Sequence, residues 1–144
     1  MNAPEQRLIT AVRDLLDSSR PDGTPADFPI KADWETAKLE RPYLVISTEN
    51  ASVPHPAMRK LNLVLTTRRR ADDETTAPPE ELHQRFVNQL ETLLPDLATA
   101  LAALQLRLRK MPPAATSEDD AEGRGDESAA AWTVWLEILP PPSS

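Results

Sequence analysis

Side chains able to do chemistry are few and scattered in this 144-residue chain. There are two histidines, His55 in the run Val53, Pro54, His55, Pro56, and His83 between Leu82 and Gln84. A metal or general-base role needs a second imidazole or carboxylates close by. None is near His55 in sequence, and the flanking prolines hold it in an extended surface loop. His83 precedes Phe86 by three residues, which puts it at the edge of an apolar helix face as a partly exposed histidine. The pair does not stand in HExxH spacing. The triple Asp72, Asp73, Glu74 offers hard oxygen ligands, but a calcium loop alternates its ligands around a glycine, so the run reads as a solvated loop. Ser47 and Thr48 lack a glycine elbow and a matched base, and Glu49 is one carboxylate without a partner. The chain has no cysteine and 3 glycines. That removes thiol nucleophiles, disulfides and Cys-built metal sites, and nearly removes a glycine-rich phosphate loop. The expectation is a non-enzyme with no catalytic residue, no metal site and no cofactor.

Charge and aromatic placement say more. Arg68, Arg69 and Arg70, with Arg59 and Lys60, form one basic run, and Arg107, Arg109 and Lys110 form another. Nucleic-acid binding would interleave aromatics among them, yet aromatics are 4% of the chain and none lies in these segments. The charges serve instead to blunt strand edges or to complement an acidic partner surface. Such an acidic surface exists within the chain. The formal charge is -7, and the stretch from Ser117 to Glu127 (SEDDAEGRGDE) holds six acids and one base. Without it the chain has 17 acids against 15 bases, so the body is nearly neutral and neither a nucleic-acid platform nor a polybasic membrane binder. Trp135 has the opposite strand parity from Trp132, Val134 and Leu136. It is an interface side chain, or the sheet is packed on both sides, or the loop at 20–41 covers it. The interface candidates are Arg68, Arg69, Arg70, Arg107, Arg109 and Trp135.

Proline separates the elements that position these groups, with 15 in the chain. From Pro4 to about Ser19, Leu8, Ile9, Val12, Leu15 and Leu16 fall on one helical face. Residues 20–41 are irregular. There Phe28, Ile30 and Trp34 are anchors to the core, and a helical turn fits near Asp33 to Lys38. Pro42 to Asn50 (PYLVISTEN) begins as a buried strand, and Asn50 to Pro56 reads as a turn or loop. Residues 59–69 alternate Leu61, Leu63 and Leu65 with Asn62, Val64 and Thr66, a second strand antiparallel to the first. A second helix covers about Pro79 to Leu94, and Pro95 breaks it or starts a short helix through Ala103. Residues 104–109 (LQLRLR) and 130–138 (AAWTVWLEI) are the last two strands. The prediction is one α+β domain over 1–144: a four-stranded sheet covered on one face by two helices, in the order α-β-β-α-β-β. Mobile loops are expected at about 20–41, 70–79 and 112–128. No apolar run is long enough to span a membrane, and the N-terminal MNAPEQRLIT has no apolar core of a secretory signal.

This layout resembles the tail-terminator (tail-completion) proteins of long-tailed phages and prophages. The segments that carry the likeness are EQRLITAVRDLL, RPYLVIST after a proline-rich loop, KLNLVLTTRR, EELHQRFVNQLETLL, an acidic loop and the closing WTVWLEI. The likeness covers most of the chain, as a pattern and not as a diagnostic motif. It implies a structural virion protein that forms a homo-oligomeric ring, as a hexamer, on the tip of the finished tail tube. Such a ring ends tube polymerisation and forms the surface that joins the head. It further implies tail-tube protein and a head-completion or connector protein as partners, assembly in the bacterial host cytoplasm and residence in the virion tail. Heterologous side-by-side contacts between copies are what close a ring. Other head–tail connectors, tube-associated assembly factors and small non-enzymatic protein-binding modules share this size and style.

Overall fold

The computed structural model describes residues 3–21, 24, 28–35, 43–68, 79–112, 115–116 and 127–140. Helix α1 spans Pro4–Ser18, strand β1 Ile30–Ala32, β2 Tyr43–His55 and β3 Met58–Arg68. Helix α2 spans Pro79–Thr92, α3 Leu94–Ala103, then β4 Leu106–Lys110, β5 Ala115–Thr116 and β6 Glu127–Ile138. A 3₁₀ turn, Asp33–Glu35, follows β1. The fold is α+β. The strands lie in the order β1-β2-β3-β6-β4, with the two-residue β5 pairing β6 beside β4's place. β1 runs parallel to β2, and every other pairing is antiparallel.

Two counts correct the expectation of four strands and two helices. The third helix exists because Pro95 has no N–H to give to the preceding turn, so α2 stops and a new axis starts. Leu97 N–H then bonds back to Leu93 C=O at 2.8 Å across the join. Two strands are additional, β1 and the two-residue β5, and β1 pairs Ile30, Lys31 and Ala32 with Leu44, Val45 and Ile46. It lies within the stretch expected to be an irregular loop. Three residues carry too little periodicity to be read from sequence; the pairing to a buried neighbour makes them a strand. The helical turn expected near Asp33 to Lys38 is present over Asp33–Glu35. Of the anchors named there, Phe28 and Ile30 are buried, while Trp34 is 48% exposed. Of the expected mobile loops, 22–23, 25–27, 36–41, 70–78, 113–114 and 117–126 lie outside the described residues. Residues 115–116 and 127–128 are strand, not loop.

Period-two alternation decides which face each strand buries. Leu44, Ile46, Leu61, Leu63, Leu65, Trp132, Val134 and Leu136 point to one face and are almost wholly buried. The three helices cover that face with Leu8, Val12 and Leu16 from α1, Phe86 and Leu90 from α2, and Leu97 and Leu101 from α3. Each such side chain contributes about 1.5–3 kcal/mol by leaving water. Phe28 stacks on Phe86 at 5.8 Å between ring centres and brings the segment before β1 under α2.

A few polar ties fix the helices. Arg7 Nη1 on α1 donates to Leu104 C=O at 2.7 Å, satisfying an orphan carbonyl at the end of α3. Gln89 Nε2 on α2 donates to Ser19 C=O at 2.9 Å, just past α1. Gln105, immediately before β4, has φ 63°, the left-handed conformation in which a chain commonly leaves a helix. No helix among the described residues is long and apolar enough to cross a membrane.

Candidate functional site

The sheet's second face carries the candidate site. At one end it is apolar and closed, with Tyr43, Val45, Val64 and Thr66 buried. Toward the other end its residues are polar. Register sets Asn62 opposite Thr133 and Lys60 opposite Trp135 across β3 and β6, and Glu137 opposite Arg107 across β6 and β4. Lys60 Nζ lies 5.1 Å from the centre of the Trp135 ring, a cation–π contact. Glu137 stands between two guanidinium groups, 3.5 Å from Arg109 and 3.9 Å from Arg107. Both arginine side chains remain more than half exposed. A register shift in β4 between Leu108 and Lys110 sets Lys110 opposite Trp135 as well.

Trp135 therefore faces away from Trp132, as parity predicts, and it is partly buried beneath Lys60 instead of standing free. Arg107, Arg109 and Trp135 come together, joined by Lys60 and Glu137, which sequence reasoning did not place with them. Alternation put Lys60, Trp135 and Glu137 each on a face; only the β3–β6 register puts them side by side. Arg68 does not belong to this group. It ends β3 opposite Glu127, eight residues from Lys60, or about 27 Å along the strand. Arg69 and Arg70 lie outside the described residues. The first basic run is thus split, and Arg59 leaves it too. Arg59 shares the parity of Leu61 and reaches under the sheet to Glu5 of α1, Nε to Oε1 at 3.9 Å.

Each histidine has a hydrogen-bond partner within the fold. His55 ends β2, which continues through the segment expected to be a loop. Its Nδ1 accepts the Ala57 N–H at 3.1 Å inside the hairpin turn. His83, expected at the edge of a helix face and partly exposed, is buried. Its Nδ1 and the Thr67 hydroxyl of β3 share a hydrogen bond of 2.9 Å. A β3 hydroxyl in reach makes the interior tolerable for the ring, and that partner is invisible in the helix sequence. Asp72, Asp73 and Glu74 lie outside the described residues. No cluster of three or more potential metal ligands forms among the described residues.

One carboxylate has a perturbed environment. Burial presses the Glu35 carboxyl upward, but the Ala32 N–H and the Arg13 guanidinium outweigh it and hold the group below its ordinary value of 4.5. Arg13 Nη1 and Ala32 N–H donate to Glu35 Oε1 at 2.7 and 2.9 Å. Through Oε1 this carboxylate closes the 3₁₀ turn on Ala32 and ties it to Arg13 of α1.

The arrangement can bind by charge, by an aromatic surface and by strand pairing. β1 covers the free side of β2 only from Leu44 to Ile46, so among the described residues that side of β2 is unpaired from Ser47 to His55. At the far end of the strand order, β4 presents the sheet's other edge. No protein-family model matches the chain, and no curated protein matches it.

Proposed function

We propose that the chain is a structural assembly subunit that packs into a ring and caps the tail tube of a long-tailed phage or prophage. In this reading the ring ends tube polymerisation and presents the surface that joins the head, and the working form resides in the virion tail. The observation that supports it is the two-sided, two-edged sheet. One face is sealed by three helices, and the other ends in a charged and aromatic patch. The edge formed by β1 and the uncovered part of β2 lies at the opposite end of the strand order from β4. Unlike edges on opposite sides suit heterologous contacts, which close rings when the rotation between copies allows it. The strand, helix and acidic-segment order named above supplies the likeness to tail terminators.

The test is solution mass by light scattering after gel filtration, with and without tail-tube protein, followed by electron microscopy of the largest species. A closed ring of about six chains, alone or on addition of tube protein, supports the reading. A strict monomer or dimer that ignores tube protein removes it and moves the weight to a small protein-binding module.

A further inference from the structure

The patch around Trp135 carries more positive charge than its own strands neutralise. Lys60 and Lys110 stand beside Trp135, and Arg107 and Arg109 share one carboxylate, Glu137. The distances of 3.5 and 3.9 Å from Glu137 to the arginines are longer than the roughly 2.7–2.9 Å of a charge-assisted hydrogen bond. The guanidinium groups therefore keep donors for a further acceptor. The side chains are held for that purpose. Lys60 is laid over the Trp135 ring, and the two arginines are raised from a short strand whose alternate residues, Leu106 and Leu108, face the core.

The chain also holds the complementary charge. Glu118, Asp119, Asp120 and Glu122 put four carboxylates within five residues. The segment leaves β5 at Thr116, which pairs with Ala130, and rejoins β6 at Glu127, so both of its ends attach at the end of β6 away from Trp135. Its carboxylates complement the cations of the patch on a second copy.

We propose that the Trp135, Lys60, Arg107 and Arg109 patch is the docking site for the acidic segment 117–127 of a second copy of this chain. The proposal names the subunit contact of the ring described above and rests on that reading. One copy offers the patch and the next offers the segment, so the contact is heterologous.

Full-length protein with R107E/R109E, with E118K/D119K/D120K, and with both sets together provides the test, by light scattering over a concentration series. All the changed residues of β4 are exposed, and a urea midpoint for each variant verifies that it folds. The wild type is expected to associate more weakly as salt rises from about 0.05 to about 0.5 M. Each reversal alone is expected to weaken association about tenfold or more. The combined reversals are expected to recover it to within about threefold of the wild type. Wild-type rings that ignore both reversals, or reversals that never rescue one another, overturn this contact and leave the ring reading standing. Rescue in open chains or dimers that never close supports the contact and overturns the ring. For a wild type that is monomeric alone, a peptide of residues 115–128 added to the full chain decides. Binding at low salt that R107E/R109E abolishes supports the docking site, and no binding overturns it.

Discussion

Trp132 and Trp135 stand three residues apart on β6 and live in different solvents. Trp132 is 1% exposed, enclosed by the helices, and its indole N–H has no partner among the described residues. Trp135 is partly exposed and has a lysine against its ring. The same contrast runs the width of the sheet. Inner-face positions are Leu, Ile, Val and Trp, and their value lies in excluding water. At the Trp135 end, outer-face positions are Lys, Asn, Thr, Glu and Arg, whose mutual contacts are long and wet. Interactions of that kind add little to stability. On the reading proposed above, the tryptophan and the four cations stand there for contact with a partner.

Truncation separates the two faces most sharply. Trp132→Ala is expected to cost about 3–5 kcal/mol, since it removes the largest buried side chain and leaves a cavity under the helices. Trp135→Ala is expected to cost about 1 kcal/mol, the scale of a half-solvated cation–π contact. Urea denaturation of the two variants checks this directly. Equal losses would mean that the outer face is as closed as the inner one.

A polar weld between Thr67 and His83 on the inner face gives the next largest effect. Thr67→Val keeps the shape of the side chain but takes the hydroxyl from His83, both residues being buried. The expected loss is about 1 kcal/mol, the scale of one hydrogen bond. The same change at Thr133 on the outer face, whose bond to Asn62 is 3.5 Å long, is expected to cost about 0.5 kcal/mol or less.

Much of the inner face was legible in the sequence, and the outer face only by halves. Leu61, Leu63 and Leu65 against Asn62, Val64 and Thr66 announce both the strand and its buried side, because alternation is a local property. Trp132 and Trp135 divide between faces by the same parity. β1 and the far half of β2 were not legible. Ile30–Ala32 is a strand because Leu44–Ile46 lies beside it. The polar run from Asn50 to His55 is extended because β3 pairs with it through two irregular steps, with Asn50 at φ 55°. The burial of His83 depends on Thr67, 16 residues away on another element. The patch itself needed the β3–β6 register, which no single segment encodes. Arg68 and Lys60 look like neighbours in the list of charges and lie at opposite ends of one strand.

The segment bound to the edge of the inner layer gives a pH signature that the outer face lacks. Glu35 has its carboxyl held below 4.5 in the folded chain by the Ala32 N–H and Arg13, against the upward pull of burial. A carboxyl with a depressed folded value stabilises the fold above its unfolded value and loses that contribution as pH falls through the folded one. The wild type is therefore expected to exceed Glu35→Gln by about 1 kcal/mol or less near neutrality. The gap should stay constant down to about pH 5 and close as the pH falls below about 4. Urea midpoints of both proteins across that range provide the measurement. A gap that widens in acid would mean that the Arg13–Glu35 pair does not fasten the turn in solution.

The smallest stability effect is expected where the largest change in association lies. Arg107 and Arg109 are more than half exposed, and each meets Glu137 at a distance where water competes for the charge. Replacing either by Gln removes a cation but no packing that the fold needs, because the core contacts of β4 are made by Leu106 and Leu108. The expected shift in the urea midpoint corresponds to less than about 0.5 kcal/mol. Glu137→Gln is informative in the opposite sense. It too leaves stability nearly unchanged, but it raises the positive charge of the patch, so an acidic partner should bind more tightly and more salt-sensitively. A patch that merely blunts a strand edge would respond to neither change in any association measurement. A patch built to receive carboxylates responds to both, with opposite signs.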